Sequence, residues 1–321
     1  AKNITQAKLK AYKYTDAKGN YDLLEFGNDL QKLLDKPNKY QSASEFHTLQ
    51  NVFFNFTGNA FTYFERKGKD VVALWPLNPA FVQIIPDNKG EILGYTYKPY
   101  YNSGEPFPIR YEDMAHWKLP NPNDQLNGLG FGMSPVLALA QAGDIDNMIS
   151  RFLNTFFKHG ALPAGLLKFK EIALDDNEIN AIREKWKEVY GGYDNWSDVG
   201  IMDMYGEYQR IGFTFAEMDF TKLDQRNETR IFATLGVPLE LLPTVSGLSG
   251  STYNNKSEAR QMFWQDTMIY ELNVVQDELS RFFDDEETGI FIDWDLSDVY
   301  ALKGDVAVQV EAASKLYAMK V

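Results

Sequence analysis

The chain has 321 residues, a formal net charge of −13, 44% hydrophobic and 14% aromatic residues, and no cysteine. That length and apolar content support a sizeable core and argue against disorder. The acidic balance speaks against a protein that grips nucleic acid, which needs clustered Lys and Arg. The missing thiols exclude a disulfide framework, a zinc ribbon and a cysteine nucleophile.

In chain order, SASEFHTLQNVFFNF reads as a helix entered through a Ser cap. The stretch NVFFNFTGNAFTYF is interrupted by Asn51, Asn55, Thr57, Gly58 and Asn59, so no transmembrane span is expected. Across 71–120, the runs VVALWPL, FVQIIPD, ILGYTYKP and MAHWKLP, punctuated by Asn, Pro, Gly and Asp, predict short strands. The GLGFG run at 128–132 follows turn-forming NPND and reads as a bend. Ser134 and Pro135 then form a helix start, with Gly160 placed to end the helix. Ile145, Met148, Ile149, Phe152, Leu153 and Phe156 have the spacing of one buried stripe.

An apolar hinge, ALPAGLLKF, leads into LDDNEINAIREKWKEVYGG. Asp175 and Glu178 there have capping-box spacing, while Ile182 and Trp186 lie on its apolar face. The segments GIMDMY and YQRIGFTF read as strands, making a compact β-α-β insert between two long helices. The second of these helices, TKLDQRNETRIFATLG, carries Asp224, Arg226, Glu228 and Arg230 and has no large apolar side chain at 224–230. Such a helix is either solvated or supported by neighbours outside its own chain. A third long helix is predicted over 257–283, roughly 40 Å at 1.5 Å per residue. The stretch GIFIDWDLSDV leads from it to a last helix at about 305–319.

Between the second and third helices lies a nearly uncharged loop rich in Gly, Ser, Thr and Asn. Its GLSGST lacks the spacing and the lysine of a phosphate-binding loop. His47, His116 and His159 show no metal-ligand spacing. The acidic DDEETG and DWDLSD read as solvated faces. No catalytic residue, metal site or cofactor site is expected.

The order of these features is itself informative. DKPNKYQSASEF, TGNAFTYFERKGKDVVALWPLNP, MAHWKLPNPNDQLNGLGFGMSPV, FFKHGALPAGLL and LGVPLELLPTVSGLSGSTYNNKSEARQMFW succeed one another along most of the chain. The succession resembles the portal proteins of tailed bacteriophages of the long-tailed siphovirus type. The resemblance implies an α+β portal-like fold with long stem helices, a wing of mixed β-strands and a small α/β clip. In that scheme 1–133 and 257–321 are wing, without a crown; 134–160 and 220–236 are stem helices; 161–219 is the clip; and 237–256 is the tunnel-loop region. It further implies a homo-oligomeric ring, a dodecamer in the virion, at one capsid vertex, assembled in the host cytoplasm. DNA would pass through the ring during packaging and ejection without sequence-specific binding.

Implied partners are terminase, the head-tail adaptor and the capsid or scaffold protein, with no membrane. The loop facing DNA would comprise Val245, Ser246, Ser249, Ser251, Thr252, Tyr253, Asn254, Asn255 and Lys256. A loop of this composition touches a moving polyanion without holding it. Two alternatives stay open: a carbohydrate-active hydrolase using paired carboxylates, and another phage structural or adaptor protein without a tunnel.

Overall fold

In the computed structural model the described residues are 2–15, 19–24, 28–99, 104–158, 165–169, 175–190, 206–210, 220–244, 247 and 253–303. The chain divides into two compact units, one formed by 1–138 with 232–321 and the other by Leu139–Ile231.

The first unit opens with β1 (Lys8–Tyr14) and β2 (Tyr21–Leu23), followed by helix α1 (Asp29–Asp35) and helix α2 (Ala43–Thr57). Ser42 and Glu45 exchange side-chain and backbone hydrogen bonds in a full capping box at the start of α2. Gly58 ends α2 in the left-handed region (φ 73°), a geometry that favours glycine.

Strands β3 (Asn59–Lys67), β4 (Asp70–Leu77), β5 (Val82–Pro86), β6 (Ile92–Tyr97), β7 (Phe107–Arg110) and β8 (Met114–Lys118) follow. They form two antiparallel sheets, β4-β3-β8 and β5-β6-β7. The strands expected in 71–120 are therefore present. A third sheet, β11-β1-β2, joins β1 to β11 (Ile290–Asp295) with Leu9 opposite Trp294 and Ala11 opposite Ile292. This pairing links the two ends of the chain, and no local pattern announces it.

The third long helix is present but subdivided. Helix α6 (Tyr253–Met262) runs through a π-helical turn (Phe263–Met268) into helix α7 (Ile269–Phe283). Trp264, Met268, Leu272 and Leu279 from this helix meet Phe46, Phe54, Phe64, Trp117, Ile292 and Trp294 in the main core. A second core joins the two hairpin sheets through Phe61, Leu77, Ile84, Tyr95, Ile109 and Met114. Burying such side chains is the chief stabilising term, about 25 cal/mol per Å² of apolar surface.

The second unit takes in most of helix α3 (Val136–Lys158), the hairpin of β9 (Gly165–Phe169) with β10 (Gly206–Arg210), helix α4 (Asp176–Tyr190) and most of helix α5 (Phe220–Thr234). The apolar hinge is thus partly a strand: 165–169 pairs antiparallel with 206–210. Asp175 accepts from the Glu178 amide at 2.8 Å while Glu178 accepts from the Asp175 amide at 3.0 Å, completing the expected capping box. The GIMDMY segment, Gly160 and the helix expected at 305–319 lie outside the described residues.

The apolar stripe expected to be buried on α3 is only partly covered: Ile145, Ile149, Leu153 and Phe156 are half-buried. Met148 is 68% exposed and Phe152 is 41% exposed, with the Phe152 ring stacked on Phe156. Helical spacing identifies which side chains share a face; it does not say whether the same chain covers that face.

Candidate functional site

The stretch between α5 and α6 is held by backbone geometry. Gly236 adopts φ 63°, and its amide donates to the Ala233 carbonyl at 3.1 Å. The Val237 amide donates to the Phe232 carbonyl at 2.9 Å, and Pro238 prevents the helix from continuing. Thr267, on the π-helical turn, donates from Oγ1 to the Gly236 carbonyl at 2.7 Å. A β-carbon at position 236 would lie 2.5 Å from that same Thr267 oxygen, so both conformation and space call for glycine. After a short 3-10 turn at Leu239–Leu241, Gly247 comes back so close to the Leu239 carbonyl that any side chain would collide with it. The Gly247 amide donates to Thr244 Oγ1 at 3.1 Å.

Tyr253, Asn254, Asn255 and Lys256, assigned to the loop from sequence, instead form the first turn of α6. The helix starts before 257 because extending an existing helix costs far less than nucleating one, and YNNKSEARQM contains no Gly or Pro. Val245, Ser246, Ser249, Ser251 and Thr252 lie outside the described residues.

On α5, Asp224, Arg226 and Arg230 are exposed and Glu228 is half-buried. Asn227, between them, is only 2% exposed. Its Nδ2 and the Oε2 of Glu228 are buried without a hydrogen-bond partner among the described residues. Buried polar atoms left this way cost about 1–3 kcal/mol each. On α4, Ile182 is half-buried, and the Trp186 side chain lies outside the described residues.

The structure also reveals a polar knot that sequence reading missed, built from three separate motifs. Asn59 Oδ1 accepts from the Gly132 amide at 2.6 Å and lies 3.0 Å from His116 Nε2. Asn59 Nδ2 donates to the carbonyls of Gly132 at 3.0 Å and Thr57 at 2.8 Å. The Leu119 amide donates to the Gly58 carbonyl at 2.9 Å, and a side chain at Gly132 would strike that carbonyl. His116 stacks on Phe61 with ring centroids 4.0 Å apart. Burial, and secondarily the Lys118 charge, push its pKa down to about 3, so the ring is neutral.

The glycine-rich bend is tied down from both ends. Asp124 Oδ2 accepts from the amides of Gly128 and Gly130, each at 2.8 Å, and Lys118 Nζ donates to the Gly130 carbonyl at 2.6 Å. Ser134 Oγ donates to the Phe56 carbonyl at 2.5 Å and accepts from the Val136 amide at 3.2 Å. These bonds fix where α3 begins.

Several other buried or acidic groups have structural roles. His47 is buried, and desolvation lowers its pKa to about 4. Asn51 donates to the buried carboxylate of Glu271 at 2.5 Å. In the acidic segments, Asp285 is engaged by Thr288 at 2.7 Å and by the Glu287 amide at 3.0 Å. Asp284 accepts from the Ile292 amide at 3.0 Å, and Asp295 is ion-paired with Lys10. These carboxylates act as turn and strand supports, which weakens the hydrolase reading. Among the described residues no three His, Asp or Glu side chains gather to hold a metal ion. No helix among them is long and apolar enough to cross a membrane.

Comparison with known proteins agrees with this geometry. The portal protein of Enterobacteria phage HK97 is 26% identical over 184 residues, covering 56% of this chain and 40% of its own length. An uncharacterized protein of Rickettsia bellii is 24% identical over 291 residues, covering 85% of this chain and 70% of that protein. Among solved structures, a chain from the neck of an empty gene transfer agent particle, computed with C6 symmetry, superposes with a TM-score of 0.67 at 21% identity. That match covers 99% of this chain and 82% of the other. An HK97 family phage portal protein from Corynebacterium diphtheriae gives a TM-score of 0.59 at 10% identity, covering 95% and 91%. The sequence profile described as phage portal protein matches residues 1–321, and the chain belongs to that family.

Proposed function

We propose that this chain is the repeating subunit of a portal ring at one vertex of a phage capsid, a conduit for DNA during packaging and ejection. Beyond family membership, the observation that carries the reading is the apolar stripe of α3, where Met148 and Phe152 are left exposed. A 23-residue helix with large apolar side chains in water calls for a neighbour, and a ring of copies supplies one. Asn227 Nδ2 and Glu228 Oε2 on α5 are buried with no hydrogen-bond partner among the described residues, which fits a neighbouring chain or water beside this helix. A similar neck chain, from a native particle, was computed with C12 symmetry, in keeping with a twelve-membered ring.

In this reading 134–160 and 220–236 are the stem, 161–219 is the clip that meets terminase and then the head-tail adaptor, and the flanking parts form the wing against the capsid or scaffold protein. The compact unit at Leu139–Ile231 is close to stem plus clip. The stretch 237–256 faces DNA, with its nearly uncharged composition giving contact without retention. The chain is a structural component of the virion, assembled in the host cytoplasm, and by itself turns over neither ATP nor DNA.

Negative-stain microscopy of the purified protein tests this directly. Rings with a central hole are expected. Monodisperse compact monomers at high concentration would sink the proposal.

A further inference from the structure

The sheet β11-β1-β2 has an unusual outer face. Its inner face buries Leu9, Ala11, Ile292 and Trp294 in the main core. The outer face of a one-sided antiparallel sheet is ordinarily polar. Here half of it is aromatic: Tyr12 pairs with both Phe291 and Leu23, and Tyr14 pairs with Tyr21. The Tyr14 and Phe291 rings stack 4.6 Å apart, and the Tyr21 ring stands edge-on 5.4 Å from Phe291. Tyr14, Tyr21 and Leu23 are all about half exposed, at 50%, 53% and 50%.

An acidic turn borders this patch. The Tyr14 amide donates to the Gly289 carbonyl at 3.0 Å, which holds the turn beside the rings. Glu286 and Glu287 in that turn are exposed and make no ion pair among the described residues. Carboxylates here repel phosphates, so stacked nucleobases are a poor fit for the aromatic face.

The same unit carries a surface of opposite character. Lys36, Lys39, Val72, Ala73 and Trp75 line a groove of about 420 Å³. The groove's carboxylate, Glu65, is engaged by Trp75 Nε1 at 2.7 Å. Lys36 and Lys39 are exposed and form no ion pair among the described residues, and Val72 is exposed beside them. Helix α1 touches both β1 and β4 and so stands between the two surfaces.

We infer that the acidic tyrosine face of one subunit docks into the lysine-rimmed groove of the next copy. A ring closes by head-to-tail contacts, so every subunit must carry two different, mutually complementary faces. Here one face is aromatic and acidic, and the other is apolar-floored and basic. Charge complementarity of this kind selects the partner and fixes register. The inference rests on the ring reading above and names the wing surfaces that would join.

The test compares the full chain with two charge-reversed forms, Glu286→Lys/Glu287→Lys and Lys36→Glu/Lys39→Glu. All four positions are exposed, and far-UV circular dichroism checks that folding is unchanged. Sedimentation velocity then gives the protein concentration at which rings form. Each variant alone has like charges at every junction and should need at least about tenfold more protein to assemble. A 1:1 mixture of the two is complementary at every junction of an alternating ring and should assemble like the wild type. Unchanged assembly of either variant, or a mixture no better than its parts, overturns the docking surfaces while leaving the ring intact. A wild-type chain that forms no rings at any concentration overturns the ring reading, and this inference with it.

Discussion

Replacing Asn59 by alanine would remove one side chain from the centre of the knot that joins β3, β8 and the start of α3. The side chain makes four polar contacts, with the Gly132 amide, the Gly132 carbonyl, the Thr57 carbonyl and His116 Nε2, at 2.6, 3.0, 2.8 and 3.0 Å. Asn59 is 4% exposed and His116 is 7% exposed, so water has little access to replace them. Each intramolecular hydrogen bond contributes about 1 kcal/mol net, and each group orphaned in the interior costs about 1–3 kcal/mol. Partial relaxation of the glycine-rich bend offsets some of this, leaving an expected loss of about 3–5 kcal/mol. Urea unfolding followed by circular dichroism gives the loss, and amide exchange at Gly132 and Leu119 locates it. A loss below about 1 kcal/mol, or unchanged protection at both amides, would refute the argument that this knot holds the start of α3.

Three further outcomes are expected. Gly236→Ala should destabilise by about 1–2 kcal/mol, through the left-handed backbone and the contact with Thr267; adding Thr267→Ala should recover part of the loss in a double-mutant cycle. Glu271 is buried, and desolvation raises its pKa despite hydrogen bonds from Asn51 and Asn55. Its folded value therefore exceeds the unfolded one, so its contribution is fully present below the unfolded pKa and is lost as pH rises through the folded pKa. Glu271→Gln, which can still accept from Asn51, should remove that dependence and melt higher than wild type at neutral pH; equal pH profiles would contradict it. In the proposed ring, Ser249→Lys with Asn254→Lys should leave assembly intact and slow DNA packaging most at low salt, where screening is weakest. Packaging at the wild-type rate across a salt series would remove this stretch from the DNA path.

What the sequence determined by itself are the features set within a few residues of each other. The Ser cap at Ser42 and the Asp175–Glu178 capping box are of this kind. Each depends on backbone groups at most four positions away, so residue type and spacing suffice. The succession of motifs along the chain also marked the portal family, which the match over residues 1–321 bears out. Tertiary structure alone decided the pairings made across long stretches of chain. Lys8 meets Asp295, and Asn59 reaches Gly132, and in neither case does spacing reveal the partner. It also decided which apolar faces stay uncovered. The stripe of α3 and the outer tyrosines of β1 and β2 have the periodicity of buried faces, yet Met148, Phe152, Tyr14 and Tyr21 stay exposed. Periodicity reports which side chains share a face; coverage depends on what the rest of the fold, or a second copy, brings against it.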